Sequence, residues 1–242
     1  MSDISTLIDF LEPVSLHQIA NDDTFKDGQI GAGISVYEEN LPELEEVDLV
    51  LLGCNECRGS WQLMQEASPA NAIRTAFYQL YHWHYDLRLA DIGNIKAGAT
   101  LQDTYAAIRT VLSELHSMGK TVILIGGSHD CTLGMYQAYA SQQQVLDAVC
   151  VDACIDLSLQ SLNRSENFLM EMLTGEPNYI RHYNHIGFQS YYVHPGMLET
   201  MDKLRFDCYR VGTVKEHIEE MEPVIRNCQL FSFDMTALAN AY

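Results

Sequence analysis

Short apolar runs alternate with longer amphipathic segments along most of this chain, and this alternation predicts an α/β fold. The run at residues 121–125 (TVILI) predicts a buried strand, and residues 103–118 carry apolar side chains at helical spacing before Gly119. Because the predicted strands are apolar on both faces, we expect a mainly parallel sheet covered by helices, a three-layer α/β/α arrangement. With no internal repeat or Pro/Gly-rich linker, residues 1–242 are predicted to form one domain.

The same pattern assigns the other elements. Further strands are predicted at residues 47–52, 87–92, 145–151 and 228–233, with a strand beginning near residues 185–187. Further helices are predicted at residues 70–81, 133–143, 166–173, 197–204 and 214–225. In parallel α/β sheets, ligands bind beyond the carboxyl ends of the strands, so the residues that follow each strand are the candidates for function.

Three of the predicted strands are followed by side chains that bind metals. The segments are GGSHD at residues 126–130, DACID at 152–156 and SFDMT at 232–236. His129 offers an imidazole nitrogen, and Asp152, Asp156 and Asp234 offer carboxylates, a set that suits Mn²⁺, Mg²⁺ or Zn²⁺, with Mn²⁺ favoured by the carboxylates. The alternative is that these acids are helix caps, turn residues or surface charges and that His129 is an ordinary loop histidine.

Charge and cysteine content limit the classes of partner. The formal net charge of −19 disfavours nucleic acid and anionic lipid, so we expect small molecules or other proteins as partners. Seven cysteines at irregular spacings are typical of reduced thiols, which predicts a cytoplasmic protein. No segment approaches the roughly 20 apolar residues that a membrane-spanning helix needs, so no membrane association is expected.

The three segments resemble those of the ureohydrolases, the family of arginase, agmatinase and formiminoglutamase, which typically show GGDHS, DAHxD and SxDxD in this order. The resemblance runs from about Val47 to Leu238, and formiminoglutamase-type proteins are expected to be nearest. It implies an arginase-like fold and hydrolysis of a linear amidine or guanidino substrate by water activated between two Mn²⁺ ions. A homo-oligomer is expected separately, because a sheet that ends on a strand without a covering helix would expose apolar surface. Relative to the family, this chain is expected to lack a C-terminal strand and helix, being a fragment or having lost part of the site.

The resemblance also assigns roles to residues. One ion is expected on His129, Asp152, Asp156 and Asp234, with Asp156 and Asp234 as catalytic residues. The second ion needs a His where Cys154 stands and an Asp where Thr236 stands, so its site is expected to be damaged. Cys154 is interpreted as a plain thiol, a Zn²⁺ ligand or an activated nucleophile. The chain is therefore either a metal-dependent amidine hydrolase or a catalytically silent binding or assembly protein.

Single residues and one cysteine pair outside these segments are also candidates for a role. Arg58 is a candidate for binding a substrate carboxylate, with a surface salt bridge as the alternative. Asn163 lies in a region where the family contacts substrate. Cys54 and Cys57 form a C-x-x-C pair without a second pair at zinc-ribbon spacing, so a structural role is expected.

Overall fold

The computed structural model describes residues 4–20, 24–60, 68–158 and 160–238. Two compact units divide the chain, Met1–Gly134 and Met135–Tyr242, and each contains one β-sheet with helices. The predicted α/β class with mainly parallel sheets is confirmed. Organisation as one domain stays a prediction. Among the described residues, no helix has both the length and the apolar character that crossing a bilayer requires.

Unit 1 carries the N-terminal sheet. Its order is β1-β4-β3-β5, with β2 also beside β4, and every pair is parallel except β1 with β4. Its elements are a 3₁₀ helix (Ile4–Phe10), β1 (Leu11–Glu12), α1 (Leu16–Ala20), α2 (Ile30–Gly33), β2 (Ser35–Val36), β3 (Leu49–Gly53), α3 (Pro69–Tyr78), β4 (Leu89–Ile95), α4 (Leu101–Ser117) and β5 (Thr121–Ile125), followed by the start of α5 (Cys131–Ser141).

Local sequence explains where the two main helices of unit 1 begin. The Ser68 side chain accepts a hydrogen bond from the Asn71 N–H, and Pro69 occupies the first helical position of α3, where its missing N–H costs nothing. Thr100 and Asp103 form a reciprocal capping box at the start of α4. These caps satisfy backbone donors that would otherwise lack a helical partner.

Unit 2 carries the second sheet, which is entirely parallel in the order β8-β7-β6-β9. Its apolar core includes Val149, Ile186 and Met221. After the rest of α5, its elements are β6 (Leu146–Val151), a 3₁₀ helix (Arg164–Glu166), α6 (Phe168–Thr174), β7 (Ile180–Phe188), α7 (Pro195–Lys203), β8 (Asp207–Arg210), α8 (Val211–Glu216), a 3₁₀ helix (Ile218–Glu220), α9 (Met221–Arg226), β9 (Leu230–Phe233) and a 3₁₀ helix (Met235–Ala237).

Several boundaries differ from the sequence predictions. The helix predicted at residues 214–225 is divided into α8, a 3₁₀ turn and α9, because Pro223 fits the first turn of a new helix but would break the interior of a longer one. The strand expected to begin near residues 185–187 ends there instead, and β8 was not predicted. In β5, Thr121 and Ile123 are exposed, and because residues two apart lie on the same face of a strand, this part of that face is not covered. Burial on both faces is therefore wrong for this strand.

A fully buried ion pair ties α3 to β4 in unit 1. Arg74 donates from Nε to Asp91 Oδ2 at 2.7 Å and from Nη2 to Asp91 Oδ1 at 2.9 Å. Tyr78 donates its hydroxyl to the same carboxylate, and Asn94 accepts from Arg74 Nη1 at 2.6 Å. Both charged side chains have no exposed surface, so each depends on the other to offset its desolvation.

Replacing Arg74 with Met should lower the free energy of unfolding by about 3–5 kcal/mol, because the Asp91 carboxylate would remain buried without its cation. Urea unfolding followed by circular dichroism measures this change. Arg88→Met is the matched control, since Arg88 pairs with Glu46 at the exposed surface, and a loss below about 1 kcal/mol is expected there. Equal losses in the two variants would contradict a special role for the buried pair.

Candidate metal centre

The carboxyl ends of two adjacent strands bring three of the predicted acids to one edge of the unit 2 sheet. β6 and β9 are parallel neighbours, with Val151 opposite Phe233. Asp152 follows β6 directly, Asp234 follows β9, and the Asp234 N–H donates to the Val151 carbonyl at 2.9 Å. Asp156 lies four residues beyond Asp152 and is also buried. The strand register therefore gathers carboxylates that the sequence separates by about 80 residues.

Thr236 contacts the Asp152 carboxylate directly. Its hydroxyl donates to Asp152 Oδ1 at 2.7 Å, and the Cys154 N–H donates to the same oxygen at 3.0 Å. The Thr236 N–H in turn donates to Asp234 Oδ1 at 2.8 Å. Thr236 therefore orients two of the three acids through neutral hydrogen bonds.

Cys154 lies among these acids as a protonated thiol. Burial, followed by the charges of Asp152, Asp156 and Asp234, raises its pKa to about 11. A bound cation would lower the pKa of a cysteine that it contacts, so the interpretations of Cys154 as a plain thiol, a Zn²⁺ ligand or a nucleophile all stay predictions.

The donor chemistry of unit 2 fits one hard cation. Asp152 and Asp156 are 3% and 7% exposed, and buried carboxylates in close company are costly unless a cation or hydrogen bonds offset them. Carboxylate oxygens suit Mn²⁺ or Mg²⁺. A second ion fits less well, since Asp152 Oδ1 already accepts two hydrogen bonds and Thr236 offers only a neutral hydroxyl.

His185 supports this region, and no local motif in the sequence identifies it. It is fully buried in β7, directly opposite Cys150 of β6. One ring nitrogen lies 3.1 Å from the Asp152 carbonyl oxygen, and the other lies 3.1 Å from the Tyr183 hydroxyl. His185 therefore fixes the backbone at the point where β6 ends.

His129 belongs to unit 1, in the loop between β5 and α5. Gly126 and Gly127 both have positive φ, +81° and +77°, and a Cβ at Gly126 would lie 2.6 Å from the Cys54 carbonyl oxygen. The loop then turns into α5, and the fully buried Asp130 accepts a hydrogen bond from the Tyr105 hydroxyl. The role of His129 as a metal ligand stays a prediction.

Arg58 has a dense set of contacts within unit 1. Its Nε and Nη2 donate to the Glu56 carboxylate at 2.9 and 2.5 Å, and its guanidinium also donates to the carbonyls of Gly98 and Ala99. Although burial raises the pKa of Glu56, hydrogen bonds from Arg58 and Thr104 lower it below the usual range. These contacts favour a role in joining two loops, while substrate binding by Arg58 stays a prediction.

Asn163 caps the short 3₁₀ helix of unit 2. Its Oδ1 accepts from the Ser165 N–H at 3.2 Å, and its Nδ2 donates to Glu166 Oε1 at 3.0 Å. The side chain is buried, so these local partners give it a structural role in the loop after β6. Its substrate-binding role also stays a prediction.

Comparisons with known proteins bear on the fold of the chain. The model of the arginase family matches residues 48–242. A formimidoylglutamase from Bacillus subtilis is 16% identical with a TM-score of 0.71, over 96% of this chain and 76% of that chain. A formiminoglutamase from Trypanosoma cruzi, determined with Mn²⁺, is 16% identical with a TM-score of 0.68, over 84% and 72%. An agmatine ureohydrolase from Thermoplasma volcanium is 21% identical with a TM-score of 0.63, over 86% and 71%.

No curated protein matches this chain. Identities of 16–21% to the solved structures show a shared fold and nothing finer. Together with the family match, they confirm the resemblance inferred from the three strand-end segments.

Replacing Glu56 with Gln should destabilise the protein by about 1–3 kcal/mol at pH 7, because Arg58 and Thr104 lose a charged acceptor. The pKa of Glu56 is lowered on folding, so its contribution is present above the unfolded pKa of about 4.3 and is lost as the pH falls through the folded pKa. The difference from wild type should therefore shrink below about pH 4 in urea unfolding.

Glu45→Gln, at an exposed carboxyl, is the control and should change stability by less than about 0.5 kcal/mol. A pH-independent deficit in Glu56→Gln would contradict the assignment.

Proposed function

We propose, because this chain belongs to the arginase family, that it is a metal-dependent hydrolase that cleaves a C–N bond of a linear amidine with one bound divalent cation. The observation that carries the proposal is the group of carboxylates from Asp152, Asp156 and Asp234 in unit 2, with Thr236 hydrogen-bonded to the first of them. These acids provide oxygen ligands for one ion, while the neutral Cys154 and Thr236 leave a second ion without anionic ligands.

Asp152, Asp156 and Asp234 would hold the cation, and the sequence prediction adds His129 as a further ligand. Mn²⁺ is favoured because carboxylates dominate the set. When bound, such an ion acts as a Lewis acid and lowers the pKa of water. A cytoplasmic location and a homo-oligomeric state are proposed with it, on the basis of the sequence.

The side chains of unit 2 have separate tasks in this proposal. Thr236 holds Asp152 and Asp234 in fixed orientations through its hydroxyl and its N–H. Asp156 is buried, so it is proposed as a ligand that also orients water. Asp234 is half-buried and is proposed as the group that accepts a proton from water and passes it to the leaving nitrogen. Cys154 stays protonated, which avoids a further negative charge among the acids.

A second candidate function is binding or assembly without catalysis. The hydrogen bond from Thr236 to Asp152 favours it, because this neutral donor stabilises an oxygen that a second cation would otherwise neutralise. In that case hydrogen bonds would offset part of the negative charge of the acids without any metal.

Metal content per chain separates these alternatives. After equilibration of the full chain with Mn²⁺ and removal of free metal, elemental analysis should give about one ion per chain. Asp156→Ala should reduce this to near zero, because a buried anionic ligand is lost. The matched control is Asp147→Ala, since Asp147 lies in the same strand β6 but pairs with Arg181. No metal in the wild type would contradict the metal-dependent proposal and favour the silent one.

Restoring the family ligands gives a further test. The double variant Cys154→His with Thr236→Asp should raise Mn²⁺ content from about one toward two ions per chain, because it supplies an imidazole and a carboxylate. Cys228→His with Thr213→Asp, two substitutions away from the acids, is the control and should leave the content at one. If the first double variant also stays at one, the two substitutions do not explain the loss of the second ion.

Hydrolysis is then assayed as release of ammonia, formamide or urea from formiminoglutamate, agmatine and arginine. Activity that requires Mn²⁺ and falls in Asp234→Asn by a larger factor than the metal content falls supports the proposed proton transfer, since Asp234 is also a proposed ligand. An inactive protein that still binds one ion would overturn the hydrolase proposal for these substrates and favour the silent alternative.

A further inference from the structure

Two cysteines that are far apart in sequence meet inside unit 1. Cys54 follows the end of β3, and Cys131 is the first residue of α5, 77 positions later. Their Sγ atoms lie 3.7 Å apart, and both residues are buried, at 0% and 3% exposure. This is the separation of two thiols in contact, whereas a disulfide has an S–S bond of about 2.05 Å.

The backbones of both cysteines are held in place by neighbouring hydrogen bonds. The Cys54 N–H donates to the Ile125 carbonyl at 2.8 Å, and the Cys131 N–H donates to the Ser128 carbonyl at 2.9 Å. The contact therefore joins two segments that the sheet and the glycine loop already position together. The χ1 angles of the two cysteines then set the distance between their sulfur atoms.

The space beside the two sulfur atoms is open because residue 127 is glycine. A Cβ at Gly127 would lie 3.1 Å from Cys131 Sγ and 3.3 Å from Cys54 Sγ. With that side chain missing, the two thiols can rotate toward each other without displacing a neighbour at this position. Closing the remaining distance needs a shift of less than about 2 Å, shared between two side chains.

We infer that Cys54 and Cys131 are a redox-active thiol pair that forms an intramolecular disulfide in the presence of hydrogen peroxide. One thiol attacks the O–O bond of the peroxide, which produces a sulfenic acid and one molecule of water. The second thiol attacks the sulfenic sulfur, forms the S–S bond and releases a second molecule of water. The two thiols are oxidised by two electrons, and the peroxide is reduced to two waters.

This pair differs from the C-x-x-C pair that the sequence displays. Cys57 is half-buried, and no hydrogen bond to its thiol is recorded among the described residues, whereas Cys54 has its sulfur partner at Cys131. The proposal is independent of the metal-dependent hydrolase proposal, since it concerns only thiols of unit 1 and is read out as a covalent bond.

Mapping of the disulfide tests the inference. The full chain is reduced, freed of reductant, treated with hydrogen peroxide, alkylated in denaturant and digested without reduction. Trypsin with chymotrypsin is suitable, because cleavage at Tyr136 separates Cys131 from Cys150 and Cys154. We expect a cross-linked pair of peptides that contains Cys54 and Cys131, lost after dithiothreitol. Recovery of both as alkylated thiols would overturn the inference.

Variants identify the bonded sulfur atoms. Trypsin leaves Cys54 and Cys57 on one peptide, so a variant is needed to tell them apart. Cys57→Ser should retain the cross-link, because Cys54 is the cysteine in contact with Cys131. Loss of the cross-link in Cys57→Ser would assign the bond to Cys57 instead. Cys131→Ala should abolish it, and Cys228→Ala is the matched control that should keep it. Because the bond closes a long loop, the melting temperature of the wild type should rise on oxidation, as it should in Cys228→Ala but not in Cys131→Ala. An equal rise in Cys131→Ala would assign the stabilisation to another reaction.

Discussion

Repulsion among carboxylates at the ends of β6 and β9 is the constraint on which the candidate centre depends. Asp152 and Asp156 are buried, and Asp234 lies at the neighbouring strand end, so their charges must be offset by hydrogen bonds or by a cation. The hydroxyl of Thr236 and the N–H of Cys154 offset part of this charge at one oxygen of Asp152. Burial, and after it the same carboxylates, raises the pKa of the Cys154 thiol. In the proposed centre, the carboxylate oxygens that accept neither of these two hydrogen bonds would suit one hard cation.

The proposed centre would combine an arginase-family fold with a changed metal chemistry. The strands and helices that position the acids depend on apolar packing and on backbone hydrogen bonds, which tolerate sequence identities near 16% to the solved relatives. The ligands themselves occupy single positions after the strands. In the proposed centre, exchange of two of them, at Cys154 and Thr236, would alter the charge without altering the sheet that supports it.

In unit 1, buried polar pairs perform a structural task of a different kind. Arg74 and Asp91 join α3 to β4 without access to water. The partly exposed Arg58 pairs with Glu56 and donates to the Gly98 carbonyl in the loop before α4. The contact of Cys54 with Cys131 links the end of β3 to the start of α5 through two neutral thiols. Oxidation of that pair, as inferred above, would replace a weak contact by a covalent bond between the end of β3 and the start of α5.

The sequence alone determined the β-α alternation, the mainly parallel sheets and the order of the three polar segments, because apolar periodicity and helix caps act over a few neighbouring residues. It did not determine that Pro223 divides a helix or that β5 lies at a sheet edge. Only the tertiary structure decided that Thr236 contacts Asp152, 84 residues away, and that Cys54 pairs with Cys131 and not with Cys57. These contacts depend on strand order and register, which set neighbours across the sheet and leave no local pattern in the sequence.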